Sequence, residues 1–247
     1  MNPDEYRKLA EVERDHWFYA GKRDIVRYWL RQVRPISPQD LLVDCGAGTG
    51  TFAVEMSSLC RVLAIDDHAE SLDMAREKLG ADQVRQGACS RLPLPDASVD
   101  MLTALDVLEH VREDRAAVGE FARVVRPGGA VVITVPALMA LWSDWDVVLH
   151  HFRRYNRRSL LAIVPSDPFE LVHLNYINVA VLPVVYLVRK TRVLKNGLGL
   201  KSASRAEDSI PPRWLNNVLR WLFVTFACQR RLRFPAGVSL VAVLRRK

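Results

Sequence analysis

Three glycines at every second position, Gly46, Gly48 and Gly50, follow the apolar run Leu41–Val43 and the acid Asp44. Glycine accepts positive φ and lets another backbone or a ligand come close, at an entropic cost in folding. A loop with three of them, between an apolar run and a helical pattern, turns backbone N–H groups toward a ligand. The spacing argues against a nicotinamide dinucleotide, whose G-x-G-x-x-G loop has its third glycine three positions after the second; here Gly50 comes after two. A second concentration of reactive types runs from Trp142 to Tyr155, with Asp144, Trp145, His150, His151, Arg153 and Arg154 between them. Asp144 or His150 is the candidate general base, since either side chain can be unprotonated near neutral pH. No Cys/His cluster is spaced as metal ligands, so no metal is expected.

The elements around these residues alternate. Residues 4–34 read as helical, with a break near Gly21 and a stop at Pro35. "DLLVDCG" reads as a strand buried on both faces. A helix follows from Thr51 to Leu59, then the strand "RVLAID" and the helix "AESLDMAREKLG" with its glycine stop. "VDMLTALDVLEHV" begins as a strand; a helix spans about Asp114 to Val125; "RPGG" reads as a turn and "AVVITVP" as a strand. Such alternation implies right-handed crossovers and a parallel sheet covered by helices. Beyond Pro136 a helix opens at Asn156 or Ser159, and "FELVHLNYI" reads as a strand. "NVAVLPVVYLVRKTRVLK" is apolar, then basic; "NGLGLKSASRAEDS" is polar and mobile in character. "PPRWLNNVLRWLFVTFACQRRLR" reads as an amphipathic basic helix, and "GVSLVAVLRRK" as a closing strand.

In four ordered places the sequence resembles the class I S-adenosylmethionine-dependent methyltransferases. Asp44, Gly46, Gly48 and Gly50 match the family's acid-x-G-x-G-x-G motif, with Ala47 inside it. Asp66, 22 residues after Asp44, ends "VLAID" as the family's second-strand acid does. "LPLPDASVDMLTALDVLEHV" and "RVVRPGGAVVITVP" are similar to its fourth and fifth strands with their lead-ins. The resemblance implies an α/β Rossmann-like fold of seven strands in the order 3-2-1-4-5-7-6, strand seven antiparallel, with helices on both faces and an added lid and C-terminal helical region. It divides the chain into an N-terminal helical cap (1–35), a cofactor-binding core (36–137) and a region (138–247) of acceptor lid, apolar/basic helices and closing strands.

The resemblance also implies roles. The cofactor is S-adenosylmethionine, held by the glycine loop, by Asp66 through both ribose hydroxyls, and by Asp67 beside it. Asp106 meets the methionine ammonium. The family's adenine-binding acid is replaced by Ala88, which leaves adenine to the Cys89 backbone and apolar packing. Trp142, His110, Arg154 and Tyr155 line the acceptor site. "HWF" at His16–Phe18, "H-x-RRY" at His151–Tyr155 and "P-x-G-V-S-L" at Pro235–Leu240 are similar to a bacterial subgroup. The acceptor is then a small molecule, a lipid-like compound or a glycan-linked one. An inactive S-adenosylmethionine-binding regulator and an RNA methyltransferase are the alternatives.

Composition bounds the partners. Residues 1–147 carry 17 Lys/Arg against 24 Asp/Glu, whereas residues 148–247 carry 18 against 4. A basic back half joined to apolar runs suggests either amphipathic helices packed on the core with their arginines reaching water, or an anionic, membrane-surface or lipid partner, with Trp214, Trp221, Leu222 and Phe223 inserted and Arg213, Arg220, Arg230 and Arg231 at headgroup level. No RNA-binding signature accompanies the charge, so nucleic acid is not favoured. The apolar run Ile177–Val188 is shorter than the ~20 residues of a spanning helix. The four cysteines read as reduced thiols and the charged N-terminus as no secretory signal, so the expected location is the cytoplasm, with the inner membrane face as a peripheral alternative if the basic helices touch membrane rather than core. Oligomeric state is not legible.

Overall fold

Strand β1 (Leu41–Cys45) is the axis of the sheet, buried from Leu42 to Cys45 as its apolar run requires. It pairs in parallel with β2 (Arg61–Asp66) on one side and β4 (Val99–Leu105) on the other. The computed structural model describes residues 10–197 and 210–247; the end of the polar stretch, 198–209, lies outside them. With β3 (Val84–Gln86), β5 (Val125–Pro136), β6 (Phe169–Ile177) and β7 (Ser239–Arg246), the sheet has seven strands in the order β3-β2-β1-β4-β5-β7-β6. β7 alone runs opposite to the direction of the other six strands, antiparallel to both β5 and β6, as the resemblance implied.

Alternate side chains of each strand serve two cores. On one face Val43, Ile65, Leu102 and Ile133 meet Val118 and Phe121 of helix α4 (Asp114–Val124) and Leu160 of α6 (Arg157–Ile163). On the other, Leu42, Ala64, Met101 and Val132 meet α1 (Trp17–Val33), α2 (Thr51–Ser57), α3 (Ala69–Leu79) and α8 (Arg213–Ala227). The short α5 (Asp144–Val148) and α7 (Leu182–Gly197) complete the helices that position the site.

Two local expectations are corrected. Helix α1 passes through Gly21 without a break, and the interruption falls at the turn Glu13–Asp15 instead. Gly21 is there for contact: a Cβ on it would lie 2.8 Å from Cδ1 of Phe223. "RPGG" is not a turn between elements but part of β5. Val99 pairs with Val125 while Met101 pairs with Ala130, so the intervening residues form an irregular bulge along one continuous strand.

Phe223 is also corrected. It is buried beneath Phe18, with which it stacks at 5.8 Å, and belongs to the core rather than to a membrane face. Trp214, Val218 and Trp221 form the exposed stripe of α8, at helical spacing. Among the described residues, no helix is long and apolar enough to cross a membrane.

Candidate active site

Register brings the site together. Cys45 pairs with Ile65 of β2 and Ala104 of β4, so the C-terminal ends of three parallel strands stop side by side. One residue past Ile65 stands Asp66, and two past Ala104 stands Asp106. Both face the glycine loop across the crevice where this sheet reverses its strand order, the usual ligand position of an open α/β sheet.

The loop is shaped by contacts on one side and openness on the other. Gly46 has φ 70°, and a Cβ there would lie 2.5 Å from Val107 Cγ2. Gly48 faces nothing within 4 Å in the direction a Cβ would take. Its N–H donates to Asp66 Oδ2 at 2.9 Å, and the His68 N–H donates to Oδ1 at 3.0 Å. Each carboxylate oxygen keeps a further acceptor site, and Asp66 borders the cavity. Asp67 stands at the rim, exposed, 2.6 Å from His68 Nδ1.

Asp44 is buried at the β1 end, where the Thr103 hydroxyl donates to it at 2.7 Å. Burial pushes its carboxyl up to about 7; the hydroxyl opposes this and the Asp66 charge adds to it. Asp106 has the opposite balance. Burial works against its ionisation, but the Lys22 ammonium and hydrogen bonds from Lys22 and Thr134 Oγ1 (3.0 Å) hold it below the usual carboxylate range. Its backbone sits at φ 55°, a left-handed turn that redirects the chain out of β4.

These groups border one cavity of about 610 Å³, together with Ala47, His110, Trp145, Asp146, His151 and Arg154. The lid differs from its expected form. Ser143 caps α5 in a capping box with Asp146, which turns Asp146 inward. Asp144, at the first helical position, is exposed and off the cavity. His150 is likewise exposed and off the cavity, at φ 58°, where the chain reverses and carries His151 inward. Of these neighbours it is Asp146 and His151, not Asp144 and His150, that border the cavity.

Asp146 is fully buried, and His151 Nδ1 (2.9 Å), Arg154 Nε (2.7 Å) and the Ser143 N–H (2.9 Å) converge on it. Burial alone would raise its carboxyl; these partners bring it down to about 2. His110 lies edge-on to His151 with ring centres 4.6 Å apart, and burial and His151 lower it to about 4.

Other expected residues fall elsewhere. Tyr155 is buried, its hydroxyl 2.8 Å from Asp114 Oδ2 and 3.1 Å from the Leu108 carbonyl, so it braces the lid from behind. Trp142 is half-buried and does not border the cavity. Gly50 caps α2 rather than facing the cavity. Ala88 is exposed in a bridge with Arg91, and Cys89 Sγ lies 2.7 Å from Cys45 Sγ; neither borders the cavity.

The sequence reading missed Lys22 and Glu13, and gave Glu109 no role. Glu13 accepts from the Thr49 and Thr51 hydroxyls, the second at 2.6 Å, and so ties the N-terminal segment to the glycine loop. No spacing signal marks these residues, which reach the site only through tertiary packing. Ligand atoms of Glu109, His110 and His151 all lie within 4.8 Å of one another, as do those of Asp66, Asp67 and His68.

The strand order, the glycine loop after β1 and the acid ending β2 define a class I methyltransferase fold. Residues 43–133 match the family model described as "Methyltransferase domain". The chain is 29% identical over 162 residues to a Mycolicibacterium smegmatis protein described as "Probable S-adenosylmethionine-dependent methyltransferase", covering 65% of this chain and 62% of that one. It is 38% identical over 112 residues to the malonyl-[acyl-carrier protein] O-methyltransferase of Yersinia pestis, 44% of this chain and 42% of that one. A geranyl diphosphate C-methyltransferase from Streptomyces coelicolor superposes with a TM-score of 0.60 at 14% identity, over 90% of this chain and 74% of that one. The chain thus carries a methyltransferase domain over residues 43–133, set in the class I methyltransferase fold. Its matches span less than two thirds of the length of these two sequence relatives.

Proposed function

We propose that the protein transfers a methyl group from S-adenosylmethionine to an apolar, lipid-like small-molecule acceptor. The observation that carries the methyl-transfer reading is the convergence of the Gly46–Gly50 loop, Asp66 and Asp106 at three strand ends on one cavity. The residues fit the cofactor. Asp66 retains acceptor sites for a diol, the open side of Gly48 admits a ligand, and Lys22 with Asp106 offers both charges to a zwitterionic amino-acid end. Bound there, S-adenosylmethionine supplies an electrophilic methyl on a sulfonium, open to in-line displacement.

The chain's own work is positioning. Asp66 orients the ribose, while Lys22 and Asp106 orient the amino-acid end. The lid, through Trp145 and Leu149, covers the cavity against water, and Glu109, His110 and His151 meet the acceptor's nucleophile.

The acceptor class follows from the cavity mouth. Val181, Val184 and Val185 line it, and Val184 is also 63% exposed, beside exposed Tyr186 and Leu187 on α7. Apolar surface thus continues from the cavity wall to the outside, as a long apolar acceptor needs. Malonyl-[acyl-carrier protein] and geranyl diphosphate, named for two similar proteins, are likewise acceptors with an apolar or carrier-linked part beside a charged one. The same surface, with the basic C-terminal half, suits peripheral attachment to an anionic membrane. Calorimetric titration with S-adenosylmethionine and its demethylated product tests the cofactor. Mass spectrometry of a cell extract incubated with the protein and methyl-labelled cofactor identifies the acceptor, and absence of any labelled product would count against transfer.

A further inference from the structure

We propose that Glu109, His110 and His151 hold a divalent transition-metal ion of the Mn²⁺ or Zn²⁺ type at the acceptor end of the cavity. The inference deepens the methyl-transfer reading, on which the ion's catalytic use rests: there it would bind and acidify an acceptor oxygen.

Glu109 is the strongest pointer. It is 0% exposed, and neither carboxylate oxygen has a hydrogen-bond partner among the described residues. A buried carboxylate left bare is costly, and native proteins rarely leave one so. The nearby cations are committed: Lys22 to Asp106, and Arg154 to Asp146 and the Ala137 carbonyl. The carboxylate therefore faces the two imidazoles with its acceptor capacity unused.

The second pointer is His151. Its Nδ1 is 2.9 Å from Asp146 Oδ1, and Asp146 is itself locked by Ser143 and Arg154. A carboxylate that holds one ring nitrogen fixes the tautomer and presents the other to a metal, the arrangement found behind most histidine ligands. His110 stands edge-on to it, and the Phe152 N–H donates to the Glu109 carbonyl at 2.8 Å, which clamps the lid to the Glu109 turn.

The third is the donor set. The ligand atoms lie within 4.8 Å of one another; metal bonds of about 2.0–2.2 Å require them about 3–3.5 Å apart, a closure within side-chain reach. Two imidazoles and one carboxylate suit a borderline transition ion rather than Ca²⁺ or Mg²⁺, and three protein ligands leave positions open for water or an acceptor oxygen. Such an ion would lower the pKa of a bound hydroxyl, whose proton would pass to water at an open position, and would orient the oxygen toward the methyl group.

The test is metal binding itself, read apart from turnover. Full-length protein stripped with chelator is titrated with Mn²⁺, followed by the loss of the free-ion paramagnetic resonance signal, and with Co²⁺, followed by visible absorption. Wild type should take up one ion at this site. Glu109→Gln and His151→Ala should each weaken binding at least about tenfold, and Asp146→Asn by a similar factor through misorientation of His151. Circular dichroism checks folding; if Glu109→Gln does not fold, His110→Ala decides in its place. No uptake by wild type, or uptake unchanged in the folded variants, overturns the assignment; the latter would place the ion at Asp66, Asp67 and His68. Wild type that binds S-adenosylmethionine but no cation sinks the metal site alone. Wild type that binds the cation but not S-adenosylmethionine sinks the methyl-transfer reading and leaves the metal site standing.

Discussion

The Lys22 ammonium on α1 donates to the Asp106 carboxylate at the end of β4, joining residues 84 positions apart at the floor of the cavity. Helix α1 is thus part of the site and not only a cover for the sheet. Lys22→Met removes a charge-assisted contact worth about 1.5 kcal/mol or more, so S-adenosylmethionine binding should weaken roughly tenfold. The double variant with Asp106→Asn should fall short of the sum of the two singles, since the residues act as one unit. Calorimetric dissociation constants for the four proteins check this; strict additivity would separate the two roles.

Asp66→Ala should cost cofactor affinity about a hundredfold or more, because two hydrogen bonds to an ionised group contribute about 1.5–3 kcal/mol each. Asp67→Ala should change it by no more than about threefold, since Asp67 lies exposed at the rim. Equal dissociation constants for wild type and Asp66→Ala would remove the ribose assignment.

Within the lid, His151→Ala should lower turnover by about 10²-fold or more and leave cofactor affinity nearly unchanged. His150→Ala should leave both close to wild type, because its side chain is off the cavity. Steady-state kinetics with the acceptor found by methyl labelling tests the pair, and the reverse order of effects would restore His150.

Stability should fall as pH drops from about 6.5 to about 4. His173 stacks on Trp29 with ring centres 3.8 Å apart, and burial, then the charges of Arg233 and Arg157, lower it from 6.5 to about 4. In that window the unfolded chain takes up a proton that the folded chain refuses, so unfolding gains, by an amount on the order of 2–3 kcal/mol. His173→Phe keeps the stack and removes the titration. Urea midpoints from pH 7 to 4 should drop less steeply in the variant; parallel curves would show that His173 is not the group responsible.

Anionic vesicles should sediment the protein at low salt and release it as salt rises, since each basic residue near such a surface contributes about 1 kcal/mol. Trp214 (69% exposed) and Trp221 (64%) on α8 are the residues to test. Arg220 pairs with Asp24 at 2.6 Å, so part of the basic face is compensated. The Trp214→Ala/Trp221→Ala variant should stay in the supernatant. Wild type that remains there with anionic vesicles at low salt leaves the stripe without a membrane role.

The parallel core was legible in the sequence because its signals are local. Short apolar runs such as Leu41–Val43, closed by glycine, read as buried strands, and a glycine loop at a strand end has a ligand or backbone to accommodate. The resemblance singled out Asp66 and Asp106, and strand register brings both to the crevice. In the lid the local signal ran out. Asp144 and Asp146, or His150 and His151, are equivalent in composition. Which of each pair turns inward depended on the Ser143 cap, on the left-handed turn at His150 and on buried Arg154, which bonds both Asp146 and the Ala137 carbonyl. Lys22, Glu13 and Glu109 carry no spacing signal, for they meet the site across 36 to 84 residues of chain or from a turn without periodicity. The sequence determined the sheet and the cofactor loop through short-range hydrophobic pattern and backbone chemistry. Only the tertiary structure decided which charges and imidazoles share the cavity, because that choice rests on long-range packing and on which buried groups find partners.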